Sequence, residues 1–311
     1  MDFANGFFYS ANQYYMEKFN CKVYKISLDA GCTCPNRDGT KGFGGCIFCS
    51  ASGSGEFASL KNLSIKEQVE QAKLKVSQKL KKGKRVLYIA YFQNFTSTYG
   101  SEEELLKKYN DALECKDVVG LSLGTRPDCI SQKMLDSLLE ISKEKYVSIE
   151  LGFQTSKNES VKYIRRMYEN QVFTDCVKRI KQKVPDIHIV AHIILGLPNE
   201  TKEEMQESVK YALQAGIDGI KFTVLYVVKN TDLAKDYEKH FFECLSKDEY
   251  IKILSSVICM LPKNIVVHRI TGDGAKKDLI APLWTENKRE VLNSINRYFK
   301  ENNILQGKLV M

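Results

Sequence analysis

The amino-acid sequence predicts an α/β protein whose main unit is a partial (β/α)6 TIM-like barrel, followed by a C-terminal α/β extension. Three observations support this prediction. Six apolar, strand-like segments alternate with amphipathic helical segments, as is typical of parallel sheets. Strands such as HIVAHIILGL are almost continuously apolar, which fits a sheet whose outer face is covered by helices. Polar residues follow most of these strands, and the carboxyl ends of barrel strands are where functional residues gather.

An open doubly wound sheet would show the same alternation, but its polar residues would gather at one switch point. Here they follow almost every strand, at Gln93-Asn94, Thr125-Arg126, Gln154-Thr155, Asn199-Glu200 and Lys229-Asn230. This convergence favours the mouth of a barrel. Because the sequence offers six strand–helix units where a complete barrel has eight, we expect a barrel that is open on one side.

The predicted strands are rich in β-branched and aromatic residues and cover residues 23–28, 86–92, 118–123, 146–151, 187–195 and 219–228. The predicted helices cover residues 64–82, 101–114, 131–142, 157–183 and 201–215, with a break near Asn170. Ser64 and Glu67 form a capping-box pattern at the start of the first helix.

We divide the chain into an N-terminal extension (1–20), a barrel (21–230) and a C-terminal extension (231–311) packed on the barrel. The C-terminal extension is predicted to contain a helix at 247–260, a strand at 265–270 and a final helix at 286–301.

Composition excludes several classes of protein. No apolar run approaches the roughly 18 residues of a membrane span, and the N-terminus lacks the pattern of a signal peptide. We therefore expect a cytoplasmic protein without membrane contact, in which the ten cysteines stay reduced. The formal charge of +8 permits an anionic partner. The densest basic patch, residues 79–85, is either a solvated helix end or a contact with a phosphate backbone.

One turn-rich loop, CPNRDGTKGFGGCIFC, contains Cys34, Cys46 and Cys49, with eleven residues between the first pair and two between the second. Thiolates are soft ligands that suit zinc or iron–sulfur clusters. Structural zinc usually takes four protein ligands in paired short spacings, whereas three thiolates on a 4Fe-4S cluster leave one iron open for chemistry. The spacing favours the cluster over zinc or unligated thiols. Three interpretations of Cys32 stay open: a fourth ligand, an alternative first one, or an incidental cysteine that binds nothing.

Seven motifs, taken in order, carry a family resemblance: CPNRDGTKGFGGCIFC, YFQNFTSTY, SLGTRPDCI, ELGFQT, ILGLPNET, GIDGIKFTVLYVVKNT and LIAPLWTENKREVLNSI. The set resembles the radical S-adenosylmethionine (SAM) enzymes, specifically the YhcC/YtqA (MnmL) group, which is related to the catalytic subunit of Elongator. The resemblance implies a barrel of the radical SAM type in which Cys34, Cys46 and Cys49 hold a 4Fe-4S cluster and the open iron binds SAM. Reduction by an external one-electron donor then cleaves SAM to methionine and a 5′-deoxyadenosyl radical, which abstracts a hydrogen atom.

The resemblance also implies a set of cofactor-binding residues: Phe48, Gly53, Gly55, Glu56, Thr125, Arg126, Glu150, Gln154 and Gly196. In this interpretation Phe48 packs beside the adenine or shields the cluster, and the Gly53–Glu56 segment receives the methionine amino group. Glu150 bonds the ribose, and Gly196 allows close approach of the adenosyl group. Arg126 pairs with the SAM carboxylate or a substrate phosphate. The alternative is that the segment 125–128 is only a strand-to-helix turn without a binding role.

We expect Tyr91, Gln93, Asn94 and Tyr226 to face the substrate, since they lie at the ends of the second and last barrel strands. The alternative is a set of core aromatics beside a polar loop. His192 lies inside a predicted strand and is expected to be an interior histidine more than a base.

Two departures from the family pattern stand out. The sequence has Arg166-Met167-Tyr168 where relatives usually have Arg-Gly-His, so a role of that glycine or histidine does not transfer. Cys32 replaces a residue that is commonly aromatic or apolar.

The preferred hypothesis is a radical SAM enzyme that modifies the wobble uridine of tRNA. Members resembling the YtqA branch process the carboxymethylaminomethyl group at position 5 of that uridine to aminomethyl, which a separate methyltransferase finishes. The basic charge agrees with a tRNA partner. The alternatives are a radical SAM enzyme acting on a small metabolite or a protein, and a non-catalytic regulator that uses a zinc ion or cluster as a redox sensor.

Overall fold

Parallel strands form one curved seven-stranded sheet in the computed structural model, which describes residues 2–50, 53, 63–78, 85–272, 274 and 276–309. The strands are β1 (Lys22–Leu28), β2 (Val86–Phe92), β3 (Val118–Thr125), β4 (Tyr146–Gln154), β5 (His188–Leu195), β6 (Gly219–Val224), β7 (Val227–Val228), β8 (Val266–Arg269) and β9 (Leu279–Ala281). The large sheet has the order β1-β2-β3-β4-β5-β6-β8, and all its neighbours pair in parallel. The predicted partial barrel is confirmed.

Within the described residues the α-helices are α1 (Ala11–Phe19), α2 (Ile65–Ser77), α3 (Glu102–Leu113), α4 (Gln132–Ser142), α5 (Asn158–Tyr163), α6 (Asn170–Lys183), α7 (Lys202–Ala215), α8 (Asp232–Glu238), α9 (Lys247–Met260) and α10 (Lys288–Glu301). Two short 3-10 helices cover Pro127–Cys129 and Leu283–Glu286. The capping box predicted from Ser64 and Glu67 is present at the start of α2. No helix in these ranges is long and apolar enough to cross a membrane.

Two element predictions differ from the structure, and one is confirmed in detail. The strand predicted at 219–228 ends at Val224, and residues 227–228 pair instead with β9. The break predicted near Asn170 in the helix at 157–183 is present between α5 and α6, where Arg165 and Met167 have positive φ angles. The strand predicted in the C-terminal extension is β8, which pairs with β6 as the seventh strand of the barrel sheet.

The two faces of the sheet differ in chemistry, as strand β4 shows. Residues 147, 149, 151 and 153 of β4 are apolar and belong to the main core under the helices. The alternate residues include Ser148, Glu150 and Gln154, which face the inside of the barrel because side chains alternate along a strand. The helices therefore cover an apolar outer face, and the interior of the barrel is left polar.

Helix α1 packs against the amino ends of the barrel strands. Tyr14 stacks on the ring of His188 with a centroid distance of 4.8 Å, and Tyr15 lies edge-on to Tyr146 at 5.9 Å. The Nε2 atoms of His188 and His268 lie 2.9 Å apart, so one ring donates its proton to the other. Burial, reinforced by Lys25 and Lys181, lowers the pKa of His188 to about 3.

We expect the apoprotein to lose stability as the pH falls from about 7 to about 5, because unfolded His188 binds a proton near its ordinary pKa of about 6.5 and the folded ring does not. Stability is therefore lost progressively below the unfolded pKa, by about 2 kcal/mol at pH 5 from His188 alone. Urea unfolding at the two pH values measures this loss of folding stability. His188→Gln should reduce the pH dependence, whereas His240→Gln at an exposed site should leave it intact. Equal pH dependence in wild type and His188→Gln would contradict this origin.

Candidate active site

The cysteine loop after β1 is folded tightly by its own backbone. The amide of Gly45 donates to the carbonyl of Asn36 at 2.8 Å, and the amide of Cys49 donates to the carbonyl of Cys46 at 2.9 Å. Gly45 has a φ of +87°, and a Cβ at this position would lie 2.9 Å from Nε of Arg37. Glycine is therefore required here both by the backbone conformation and by the close side chain.

Two polar side chains anchor this loop. The amide nitrogen of Asn36 donates to the carbonyl of Arg165 at 2.7 Å and lies 3.5 Å from Sγ of Cys46. The guanidinium of Arg37 donates to the carbonyl oxygens of Cys49, at 3.0 Å, and Ser50. These bonds tie the loop to the segment between α5 and α6 and fix the direction of its thiols.

The three cysteines line one cavity at the mouth of the barrel, which we call the cysteine cavity; its other lining residues include Phe48, Tyr91, Gln93, Phe95, Thr125, Arg126, Glu150, Gln154, Tyr168 and His192. Burial and the neighbouring Cys49 raise the pKa of the Cys46 thiol to about 12. A coordinating metal displaces the proton from such a thiol.

The donor set suits an iron–sulfur cluster, because thiolates are soft ligands and three of them line this cavity. Among the described residues no three His, Cys, Asp or Glu side chains form a group that could hold one metal ion. Cys32 is buried in the main core and is not among the residues lining this cavity.

Most of the predicted cofactor residues come together here. Phe48, Thr125, Arg126, Glu150 and Gln154 line the cysteine cavity. The two predicted glycines that the structure describes do not line this cavity. Gly53 packs on the ring of Phe95, and a Cβ at Gly196 would touch Leu245. Gly55 and Glu56 lie outside the described residues. Of the basic patch predicted at 79–85, only Arg85 is described.

Arg126 is engaged by the protein. Its guanidinium forms a bidentate ion pair with Asp128, both bonds at 2.9 Å, and donates to the carbonyl of Arg166 at 2.9 Å. Thr125 shares a hydrogen bond of 2.6 Å with Thr98. The turn that was the alternative interpretation of this segment is present as the 3-10 helix Pro127–Cys129.

Gln154 has the geometry of a ligand-binding side chain. It ends β4 with a φ of +66°, next to an irregularity in the pairing of β4 with β5. Its Oε1 atom is buried and has no hydrogen-bond partner among the residues that the structure describes. A buried acceptor left unpaired costs about 1–3 kcal/mol. A polar group of a bound cofactor or substrate would satisfy this atom.

Glu150 lies at the centre of a polar layer that crosses the barrel. Its carboxylate accepts hydrogen bonds from Tyr91 at 2.6 Å, His192 at 2.6 Å, Lys221 at 2.8 Å and Lys25. Although burial opposes ionisation, Lys221 and Lys25 hold the pKa of Glu150 well below its ordinary range. These donors occupy the acceptor sites of the carboxylate, so Glu150 organises the interior of the barrel.

A second cavity, which we call the inner cavity, adjoins the first; it is lined by Phe48, Tyr91, Gln93, Gln154, His192, Ile193, Ile194, Lys221, Thr223, Val224, Leu225, Tyr226 and Arg269. Of the predicted substrate residues, Tyr91, Gln93 and Tyr226 line it. Asn94 lines neither cavity, and its amide nitrogen donates to Asp29 at 2.8 Å.

Sequence analysis missed the cations of the interior, namely Lys25, Lys221 and Arg269. Each is a charged residue in a largely apolar strand segment, and charges are rarely buried without a partner or a ligand. That signal was available in VYKISL, GIKFTV and IVVHRI. The sequence does not show which groups pair with these cations, because the partners come from distant strands.

The segment Arg166-Met167-Tyr168 departs from the family pattern at Met167, where relatives are expected to have glycine. Met167 has a left-handed conformation, with a φ of +63°. A non-glycine residue pays about 1–2 kcal/mol for this conformation. Met167→Gly should therefore stabilise the protein by about 0.5–1 kcal/mol in urea unfolding, after the extra entropy of an unfolded glycine is subtracted. Met167→Ala keeps the strained backbone and serves as the control. Equal stabilisation by both variants would show that the φ angle is not the cause.

Family profiles match most of the chain. The Radical SAM superfamily profile matches residues 34–212, and the Radical_SAM C-terminal domain profile matches residues 217–301. The chain is 39% identical to YtqA of Bacillus subtilis over 301 residues, covering 97% of this chain and 92% of that protein. It is 33% identical to YhcC of Escherichia coli over 289 residues, covering 92% and 90%.

More distant similarities are of two kinds. A tRNA-2-methylthio-N6-dimethylallyladenosine synthase of Alkaliphilus oremlandii is 26% identical over 194 residues, covering 60% of this chain and 40% of that protein. The solved structure of the archaeal Methanocaldococcus infernus Elp3 matches with a TM-score of 0.67 at 16% identity, covering 91% of this chain and 63% of that one. The chain thus has the fold of the Elp3 radical SAM domain and spans less than two thirds of Elp3.

The superfamily match covers more than half of the chain, and the relatives above 30% identity are covered along nearly their whole length. Enzymes of this superfamily use a 4Fe-4S cluster and SAM. Three thiols around one cavity at the mouth of a partial barrel are consistent with both cofactors. The chain is therefore a radical SAM enzyme and belongs to the YhcC/YtqA family.

Proposed function

We propose that this enzyme modifies the wobble uridine of tRNA, converting a carboxymethylaminomethyl group at position 5 to aminomethyl. The observation that carries the proposal is the pair of adjoining cavities. The cysteine cavity and the inner cavity share one wall, formed by Phe48, Tyr91, Gln93, Gln154 and His192. Cofactor and substrate can therefore meet across a few side chains inside the barrel.

In this proposal each element of the chain has a stated role. Cys34, Cys46 and Cys49 hold the cluster, and Asn36 orients Cys46 through its amide. The cluster and SAM, when bound with an external one-electron reductant, supply hydrogen-atom abstraction. Gln154 offers its unpaired oxygen to a bound polar group.

The shared wall has a second role. Phe48 lines both cavities and limits the access of water, and Tyr91, held by Glu150, faces the substrate together with Gln93 and Tyr226. Exclusion of water protects a reactive intermediate from side reactions.

A tRNA substrate is supported by three points. The formal charge is +8, which favours a polyanion. The motifs resemble the YtqA branch of the family. A relative of lower identity is a tRNA-modifying synthase by name. In this proposal a separate methyltransferase acts on the product.

Two measurements test the proposal. Deleting the gene should cause the carboxymethylaminomethyl wobble nucleoside to accumulate and the aminomethyl products to disappear in nucleoside mass spectrometry. An unchanged nucleoside profile would refute it. In the second, anaerobically reconstituted enzyme is reduced with dithionite, and deoxyadenosine formation should increase with added tRNA that carries the substrate group. Stimulation by a small metabolite or a protein instead of tRNA would favour a radical SAM enzyme with that kind of substrate. Absence of SAM cleavage would favour a non-catalytic redox regulator.

A further inference from the structure

The inner cavity has an unbalanced charge. Two cations, Lys221 and Arg269, line it, and no Asp or Glu is among its lining residues within the described part of the chain. Glu150 lies next to the cavity, but its carboxylate is shared by Lys221, Lys25, His192 and Tyr91. Two cations, Lys221 and Lys25, thus share this one carboxylate. His192 adds no charge, because burial and Lys221 lower its pKa to about 4.

Among the described residues, Arg269 is the cation of this cavity that has no carboxylate partner. Its Nη2 atom donates to the hydroxyl of Thr223, and its buried Nε atom has no hydrogen-bond partner in this part of the chain. No ion pair of Arg269 occurs among residues 2–50, 63–78, 85–272 and 276–309. The side chain is half-buried, charged groups are rarely taken out of water without a partner, and the planar donors of the guanidinium match a carboxylate.

We propose that Lys221 and Arg269 form a binding site in the inner cavity for a carboxylate of the substrate. Of the two cations that line this cavity, Lys221 already donates to Glu150. Arg269 is therefore the lining cation that lacks a counter-charge, and one carboxylate can supply it. The apolar residues Phe48, Ile194 and Leu225 line the same cavity and suit the carbon atoms next to a carboxylate. The inference rests on the proposed function, in which this carboxylate belongs to the carboxymethylaminomethyl group of the uridine.

The site is distinct from the one expected for the SAM carboxylate. SAM must reach an iron held by the cysteines, and all three cysteines line the cysteine cavity while none lines the inner cavity. Lys221 and Arg269 line only the inner cavity. An anion between them therefore lies on the far side of the wall shared by the two cavities.

The test compares two ligands that differ in one charge. Binding of 5-carboxymethylaminomethyluridine and of its methyl ester, which keeps the secondary amine but lacks the carboxylate, to the cluster-loaded protein is measured by calorimetry in saturating SAM. Wild type should prefer the acid by at least about tenfold, as expected for a hydrogen bond to a charged group. Arg269→Gln should lose this preference while its affinity for the ester shows that it is folded, and Arg269→Lys should recover part of it.

Several results would overturn the inference. Equal binding of acid and ester by wild type excludes a carboxylate site, and an unchanged preference in Arg269→Gln excludes Arg269. Loss of acid binding only when SAM is added assigns the site to the SAM carboxylate. Competition by inorganic phosphate with no acid preference assigns it to a phosphate.

The outcome also separates the inference from the proposed function. If wild type prefers the acid but does not convert tRNA, the carboxylate site stands and the tRNA function fails. If wild type converts tRNA and Arg269→Gln does so with an unchanged KM, the function stands and the site fails.

Discussion

Cys46→Ala should abolish cluster binding and the reductive cleavage of SAM. Cys46 is half-buried at the cysteine cavity, where it is flanked by the amide of Asn36 and the carbonyl of Arg165. Because the loop backbone is fixed by its own hydrogen bonds, no neighbouring thiol can move into its position. We expect iron content and deoxyadenosine formation to fall to background, a larger loss than the roughly 10–100-fold expected for residues that only support a metal ligand.

Cys32→Ala is the matched control, since Cys32 precedes the same loop but lies in the main core. Its iron content per protein chain and its cleavage of SAM should remain at the wild-type level. Normal iron content in Cys46→Ala would contradict the assignment of the three ligands. Loss of the cluster in Cys32→Ala would instead make Cys32 a ligand, which was the alternative left open by the spacing of the cysteines.

Arg166→Met should destabilise the protein by about 3–5 kcal/mol or more. Arg166 is only 2% exposed and donates to the carbonyl oxygens of Phe153 at 2.7 Å, Thr155 at 2.8 Å and Tyr168 at 3.0 Å. Methionine fills a similar volume but leaves these buried acceptors without donors, and each unsatisfied acceptor costs about 1–3 kcal/mol. Urea unfolding of the apoprotein measures the difference.

The adjacent arginine provides the control. Arg165 forms an ion pair of 2.6 Å with Asp232, and both side chains are more than a third exposed. Arg165→Met should therefore cost no more than about 1 kcal/mol. Similar losses in the two variants would show that the carbonyl cluster around Arg166 does not carry the stability of this region. The carbonyls that Arg166 binds flank Gln154, so we also expect weaker SAM binding in Arg166→Met.

Local patterns were sufficient for the elements of the barrel. The apolar runs at β2 and β5, for example, identify strands because their residues are β-branched or aromatic and almost continuously apolar. The capping box at Ser64 and Glu67 marked the start of α2 because both of its hydrogen bonds are made within four residues. The helix α1 was missed, although Ser10 caps it, because its stability comes from packing on strands that are distant in sequence.

The sequence by itself determined the family and the partial barrel, and it predicted three cysteine ligands, because motif spacing and strand–helix alternation are local properties of the chain. Only the tertiary structure showed that Glu150 bonds Lys25 and Lys221, that Arg126 is paired with Asp128, and that Arg269 has no carboxylate partner among the described residues. The physical reason is that a buried charge is stabilised by groups from several strands, and their distances depend on sheet curvature and register. These quantities are set by the packing of the whole chain.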